Sequence, residues 1–294
     1  MDIKQVIADK AELVNQALED YLPHKEDEQA ARLQEAMRYS VLAGGKRLRP
    51  ILTLTAAELA EAQEEEVMPA ACALELIHNY SLIHDDLPCM DDDDMRRGQA
   101  TNHKQFGSGM AVLAGDALLT LGFEIMADID YLPAERVLQA TQELAKAAGN
   151  KGMIAGQVAD IEAENKDISK EDLNYIHQHK TGALLKSSVR LGAILAGAEQ
   201  EELAALTTYA EKLGFAFQIV DDVLDIEGDQ EKLGKDIGSD QNRDKATFPA
   251  LYGLEQSKKM AVDLCREAKE ELSIFGEEAE LLQELADYVV EREY

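Results

Sequence analysis

Gly214–Asp229 reads GFAFQIVDDVLDIEGD. Asp221 and Asp225 are four residues apart and share one face of a helix, while Phe217, Ile219, Val220, Val223 and Leu224 stand before and between them. A merely solvated acidic face does not sit in so apolar a helix. The segment therefore predicts a largely buried helix that carries Asp221, Asp222 and Asp225 toward something that needs them.

A matching stretch lies upstream. Asp85–Gly98 reads DDLPCMDDDDMRRG, with six aspartates in ten residues followed, after Met95, by Arg96 and Arg97. Gathered carboxylates repel one another, and hard divalent cations supply a reason to gather them. Magnesium takes carboxylate oxygens and completes its shell with water and substrate phosphates. Asp85 and Asp91, six residues apart, would face different sides of a regular helix. Pro88 between them cannot donate an intrahelical hydrogen bond. Looping out two residues there returns Asp85 and Asp91 to an i, i+4 relation over one cleft. Alone, this run reads as readily as a solvated helix end. With the second cluster beside it, the pattern predicts a metal cluster held between two helices. An EF-hand loop does not fit, because counting from Asp91 puts Met95 at position five and Asn102 at position twelve. A histidine metal site built on His78 and His84 would need His24 from far upstream, and is disfavoured.

The rest of the chain repeats the helical signature. Apolar residues recur at three- and four-residue spacings over 2–20, 26–42, 48–62, 66–87, 108–129, 134–148, 170–198, 201–227 and, with breaks, 255–292. Polar loops are expected at 22–26, 88–107, 162–170 and 228–246. Strand-like alternation, fixed-period repeats and long Gly/Ser/Pro linkers are absent, and the chain has only six prolines. The expected fold is all-α, one domain spanning residues 1–294.

Composition narrows the partners. The 58 acidic and 29 basic residues give a net charge of −29, which disfavours nucleic acid and anionic membranes. The 46% hydrophobic content supports a sizeable core. Cys72, Cys89 and Cys265 are an odd, widely spaced set, as expected of a reducing cytoplasm rather than a disulfide scaffold. The N-terminus reads as an acidic amphipathic helix without the features of a signal peptide. The most apolar stretch, Met110–Met126, is interrupted by Asp116 and Glu124, so no membrane span is expected. The expectation is a soluble cytoplasmic protein.

Cations are scarce here, so their clusters are informative. Gly44–Pro50, GGKRLRP, sets Lys46, Arg47 and Arg49 beside two glycines, a combination suited to a diphosphate. It is not a Walker loop. Arg96 and Arg97 abut the first aspartates, where salt bridging would occupy one arginine and leave the other. His179-Lys180-Thr181-Gly182 opens a helical run. For Thr181 alone the expectation is an ordinary helix cap. A Gly-bearing loop with Lys235 and Lys245 follows the second aspartate cluster, where a lid over a phosphate would need charge.

Together these stretches resemble the trans-isoprenyl diphosphate synthases. DDLPCMD followed by DDDMRRG is similar to the first aspartate-rich motif of the bacterial farnesyl diphosphate synthase type, with its two-residue insertion. FQIVDDVLD matches the family's second motif, and GGKRLRP, KTG and GKDIGSD with DKAT complete the order over residues 30–255. The resemblance implies an antiparallel helical bundle around a central cavity, usually a homodimer. It implies that Asp85 and Asp91 bind two magnesium ions and Asp221 a third, with Asp86, Asp222 and Asp225 in support. Arg96 would hold the allylic diphosphate. Lys46, Arg49, His78 and Arg97, with Gly45, would hold isopentenyl diphosphate. Lys180, Thr181 and Gln218 would line the site of the allylic cation, and Lys235 and Lys245 would close over the phosphates.

Chain length is read from the residues before the first motif. Tyr80 and Ser81 precede Asp85 by five and four positions, hence ~6–8 Å deeper along a helix rising ~1.5 Å per residue. An aromatic at position 80 is similar to farnesyl-producing members and implies the fifteen-carbon product. The alternatives are a geranylgeranyl or other chain-length synthase and, less favoured, a class I terpene cyclase. A cyclase needs only one diphosphate site, which two basic clusters and a second DDxxD argue against.

Overall fold

The computed structural model describes residues 2–23, 29–164, 166, 168–227 and 247–291. The described chain is helical apart from one two-stranded ribbon. Helices α1 (Ile3–Tyr21), α2 (Ala31–Val41), α3 (Leu48–Leu59) and α4 (Glu64–Asp85) come first. A turn, the strands β1 (Met95–Arg96) and β2 (Gln99–Ala100), and a short α5 (Asn102–Phe106) follow. Then come α6 (Ser108–Ala127), α7 (Ala134–Ala148), α8 (Met153–Ala163), α9 (Lys170–His177), α10 (Ala183–Ala196) and α11 (Gln200–Glu227). Helices α12 (Phe248–Tyr252), α13 (Leu254–Glu271) and α14 (Glu280–Glu291) close the chain.

The centre of the bundle is α4. A capping box between Gln63 and Glu66 opens it, and Glu64 and Glu65 also lie in its first turn, where negative charge suits the positive end of the helix dipole. Its buried residues run around the whole circumference, from Val67 and Ala70 to Tyr80 and Ile83, as expected of a helix enclosed by others. Helices α3 and α6 pack along it, and α10 packs on both α3 and α4. The helix stops at Asp85, three residues before Pro88.

Three differences from the expected elements matter. The first is α8, which the spans above omit altogether. The second is the expected single helix over 170–198. It is interrupted by a π turn at Gln178–Gly182, the kind of local widening common at functional sites. The third lies in the expected loop over 88–107, which contains the ribbon and α5. Its two-residue turn, Arg97 and Gly98, has φ of 52° and 77°, the left-handed pair that a tight hairpin requires. Among the described residues one helix, α6, is long and apolar enough to cross a membrane by length and composition. The charged residues noted in Met110–Met126 do not prevent that. In the bundle α6 packs against α2, α4 and α5.

Candidate active site

At the end of α4 the chain makes the turn that Pro88 predicts. The Leu87 N–H donates to the His84 carbonyl at 3.2 Å and the Met90 N–H to Leu87 at 2.8 Å. The Asp91 N–H then donates to the Asp85 carbonyl at 2.8 Å, which folds Asp91 back over Asp85. Burial pushes the Asp85 carboxyl up to about 6. Neighbouring Asp91 and Asp86 push the same way, while Lys180 and Arg96 oppose. Two carboxylates brought together, with burial working against the charge of Asp85, form a donor set suited to a hard cation.

The other aspartates divide by role. Asp86 is buried, and Arg96 grips it with Nε at 2.7 and 2.9 Å from its two oxygens and Nη2 at 2.6 Å. Arg96 Nη2 also reaches Asp93 at 3.4 Å. Asp222 is buried as well. Gln218 Nε2 donates to its Oδ1 at 2.9 Å, and the Phe248 N–H to its Oδ2 at 2.9 Å. Asp225 is buried. Among the described residues, no three His, Cys, Asp or Glu side chains gather closely enough to hold a metal ion by themselves. The expected metal cluster is therefore not a closed protein cage. Its supporting aspartates Asp86 and Asp222 are occupied in orienting Arg96 and Gln218. Magnesium suits such an open set, since it keeps waters and substrate phosphates in its shell.

Thr181 corrects an expectation. It does not cap a helix but lies in the π turn, where its hydroxyl donates to Gln218 Oε1 at 2.9 Å. A relay thus runs from Asp222 through Gln218 to Thr181. Beside Thr181, Lys180 Nζ pairs with Asp160 on α8 at 2.6 Å.

The basic stretch splits in the same manner. Arg47, expected as a phosphate cation, is instead a buried strut. It has left-handed backbone with φ of 50° and donates to Glu75 at 2.6 Å, the Val41 carbonyl at 2.6 Å and Asn15 at 2.9 Å. Arg49 faces the cavity and donates from Nη1 to His78 Nε2 at 3.3 Å. His78 is held neutral, well below its ordinary pKa, first by burial and then by Arg49, Arg97, Arg96 and Arg47. Arg97 crosses to the glycine loop, donating to the Gly44 carbonyl and, at 3.5 Å, to Asn79. Burial lowers its pKa to about 10. Gly45 lies against this guanidinium, where a Cβ would stand 3.0 Å from Cζ. The ribbon therefore separates the two arginines, with Arg96 beside the aspartates and Arg97 beside Gly44 and Gly45.

Between these groups lies a cavity of about 330 Å³. Tyr80, Ser81 and Asp85 line it from α4, Met153 and Val158 from α8, and Lys180 from the π turn. Tyr80 is 5% exposed, and its hydroxyl has no hydrogen-bond partner among the described residues. Burial pushes that phenol up to about 12. The sequence reading missed Gln157 and Asp160 together with α8. Ile154, Val158 and Ile161, at spacings of four and three, were the available signal. Lys235 and Lys245 lie outside the described residues.

A helical bundle enclosing an apolar cavity, with carboxylates at one rim and paired cations beside them, defines a protein that handles an anionic head and a hydrocarbon tail. The polyprenyl synthetase family matches residues 30–284, and the chain belongs to it. It is a trans-prenyl diphosphate synthase, a prenyltransferase of isoprenoid biosynthesis acting on isopentenyl and allylic diphosphates. Heterodimeric geranylgeranyl pyrophosphate synthase large subunit 1, chloroplastic, of Arabidopsis thaliana is 48% identical over 99% of this chain and 80% of its own length. Farnesyl diphosphate synthase of Geobacillus stearothermophilus is 48% identical over 88% of this chain and 87% of its own. Among solved structures, an FPP/GFPP synthase from Zymomonas mobilis superposes with a TM-score of 0.88 at 38% identity, covering 98% of this chain and 99% of that one.

Proposed function

We propose that this chain condenses isopentenyl diphosphate with dimethylallyl and then geranyl diphosphate and stops at the fifteen-carbon farnesyl diphosphate. The observation that carries this reading is Tyr80, buried against the cavity five residues before Asp85. An aromatic ring there fills the space that a longer tail would need. Relatives at 48% identity carry both the farnesyl and the geranylgeranyl names, so overall similarity does not choose between them.

In this reading Arg96, fixed by Asp86 and Asp93, binds the allylic diphosphate. Lys46, Arg49 and Arg97, with neutral His78 and the Gly45 backbone, bind isopentenyl diphosphate. Three magnesium ions held by Asp85, Asp91 and Asp221, with Asp86, Asp222 and Asp225 supporting them, would neutralise charge on the leaving group. The allylic carbon–oxygen bond breaks with its electron pair leaving on the diphosphate. The oxygens of Thr181 and Gln218, oriented through Asp222, stabilise the resulting cation as fixed dipoles. The isopentenyl double bond attacks that cation, and the proton lost in restoring an alkene passes to the released pyrophosphate. The protein works as a cytoplasmic homodimer.

The test is incubation with isopentenyl and dimethylallyl diphosphates and magnesium, followed by chain-length analysis of the dephosphorylated products. A fifteen-carbon alcohol is expected, and a twenty-carbon one would favour the geranylgeranyl alternative. A chelator should abolish turnover and magnesium restore it. Sedimentation should give twice the 32.4 kDa chain mass.

A further inference from the structure

The residue next to Asp85 is seated in an unusual way. The His84 ring leaves α4 and enters a notch in α6 at Gly115. A Cβ built on Gly115 would stand 2.2 Å from His84 Nε2 and 2.5 Å from its Cδ2, so no residue but glycine leaves room for this ring. His84 Nε2–H donates to the Val112 carbonyl at 3.1 Å, and Asp116 Oδ1 lies 4.0 Å away. The other side of the imidazole meets Tyr80 edge-to-face, with ring centroids 5.6 Å apart and planes at 83°. Both rings line the cavity.

The Tyr80 hydroxyl has no hydrogen-bond partner among the described residues to fix it. Among the described ring contacts, its position rests on the His84 edge, and His84 in turn rests on the α6 notch. We propose that Gly115 is a specificity-determining positioning residue: the notch it leaves in α6 holds the Tyr80–His84 pair back from the cavity and so sets the length of chain the cavity accepts. Gly115 itself touches no substrate. Filling the notch expels the imidazole along the direction left open to it, toward Tyr80 and the cavity, which becomes shallower. This inference rests on the chain-elongation reading above.

The experiment compares wild type, Gly115→Ala, Gly115→Ala with His84→Ala, and Gly122→Ala. Gly122 also lies where α6 meets α4, with a Cβ site 3.0 Å from the Ala73 carbonyl. It controls for helix separation alone. The readouts are product chain length and the ratio of kcat/KM for geranyl over dimethylallyl diphosphate. Gly115→Ala should lower that ratio by about tenfold, the discrimination expected of one or two methylenes of space, and enrich the ten-carbon product. Adding His84→Ala should reverse the drop and, as in His84→Ala alone, lengthen the products, because the displaced ring is gone. Gly122→Ala should leave it unchanged. If Gly115→Ala keeps the wild-type ratio and products, the notch is packing only and the inference fails while the elongation reading stands. A drop in the ratio that His84→Ala does not reverse also overturns it. Wild type that makes no longer prenyl diphosphate takes both readings down. If Gly115→Ala does not fold, His84→Ala alone decides: loss of the ring that braces Tyr80 should lengthen the products, and unchanged products overturn the inference.

Discussion

At the scale of single residues, neighbours in sequence hold unlike roles. Lys46 is exposed, Arg47 is 3% exposed and paired with Glu75, and Arg49 faces the cavity. Removing one member of a buried pair leaves an uncompensated charge, which costs about 3–5 kcal/mol. Arg47→Ala should therefore lower the free energy of unfolding, read from denaturant titration, by that amount, whereas Lys46→Ala should raise KM for isopentenyl diphosphate and leave the unfolding free energy within error. Equal stability of the two variants would remove the strut assignment. His78 supplies a pH test. Arg49 can only donate, so His78 Nε2 must accept and the ring is neutral in the fold. Below an unfolded-state pKa of about 6.5 the unfolded chain takes up a proton that the native site refuses. Stability from this group is thus constant above that pH and lost below it, by at most about 1.4 kcal/mol per pH unit. His177, lowered to about 4 by burial, steepens the same fall between pH 6.5 and 4. Chemical unfolding at pH 7.5 and 5.5 should show a shallower loss in His78→Asn than in wild type. Parallel losses would mean that His78 is not the group concerned.

At the scale of elements, α8 and the π turn are fitted to each other by one glycine. A Cβ on Gly156 would stand 2.1 Å from the Lys180 backbone nitrogen. Gly192 makes an equally close approach between α10 and α3, 2.0 Å from the Thr53 carbonyl, but outside the cavity lining. Overpacking at either place costs roughly 1–3 kcal/mol. Only Gly156→Ala should also displace the Lys180–Asp160 pair, so it should cut kcat/KM more than tenfold while Gly192→Ala leaves kinetics near wild type. Equal kinetic losses would show that both act through stability alone. The same region marks the limit of sequence reading. Helices with one buried face announced themselves by period, and the aspartate and basic motifs announced the site. Helix α8 did not, because Gly149, Gly152 and Gly156 punctuate the stretch like a loop and mask the helical spacing of Ile154, Val158 and Ile161. Whether an aspartate meets a cation or the solvent depends on where distant elements end. Asp86, Asp222 and Thr181 therefore had roles that spacing alone could not assign.

At the scale of the molecule, the net charge of −29 sets the balance between cohesion and self-repulsion. Many of the described ion pairs are side-chain contacts on the surface, such as Lys104–Asp94 and Arg266–Glu270, and such pairs contribute about 0–1 kcal/mol each. With 29 more acidic than basic residues, half of the carboxylates have no cation to match them one for one. Their mutual repulsion is long-ranged and destabilises the compact state. Salt shortens its reach, from a Debye length of about 30 Å at 0.01 M to about 8 Å at 0.15 M. The buried Arg47–Glu75 pair is screened far less, so added salt removes more repulsion than attraction. Potassium chloride is the probe, because a monovalent cation screens without competing strongly for the carboxylate pair at Asp85 and Asp91. Thermal unfolding at pH 7.5 should shift upward by several degrees between 0.01 and 0.15 M, since about 1 kcal/mol corresponds to ~2–4 °C in a domain of roughly this size. Magnesium chloride at equal ionic strength should raise the midpoint further, and Asp85→Ala should remove that additional rise while keeping the potassium effect. A midpoint that falls with potassium chloride would mean that attractive surface pairs, not carboxylate repulsion, dominate the electrostatics of this fold.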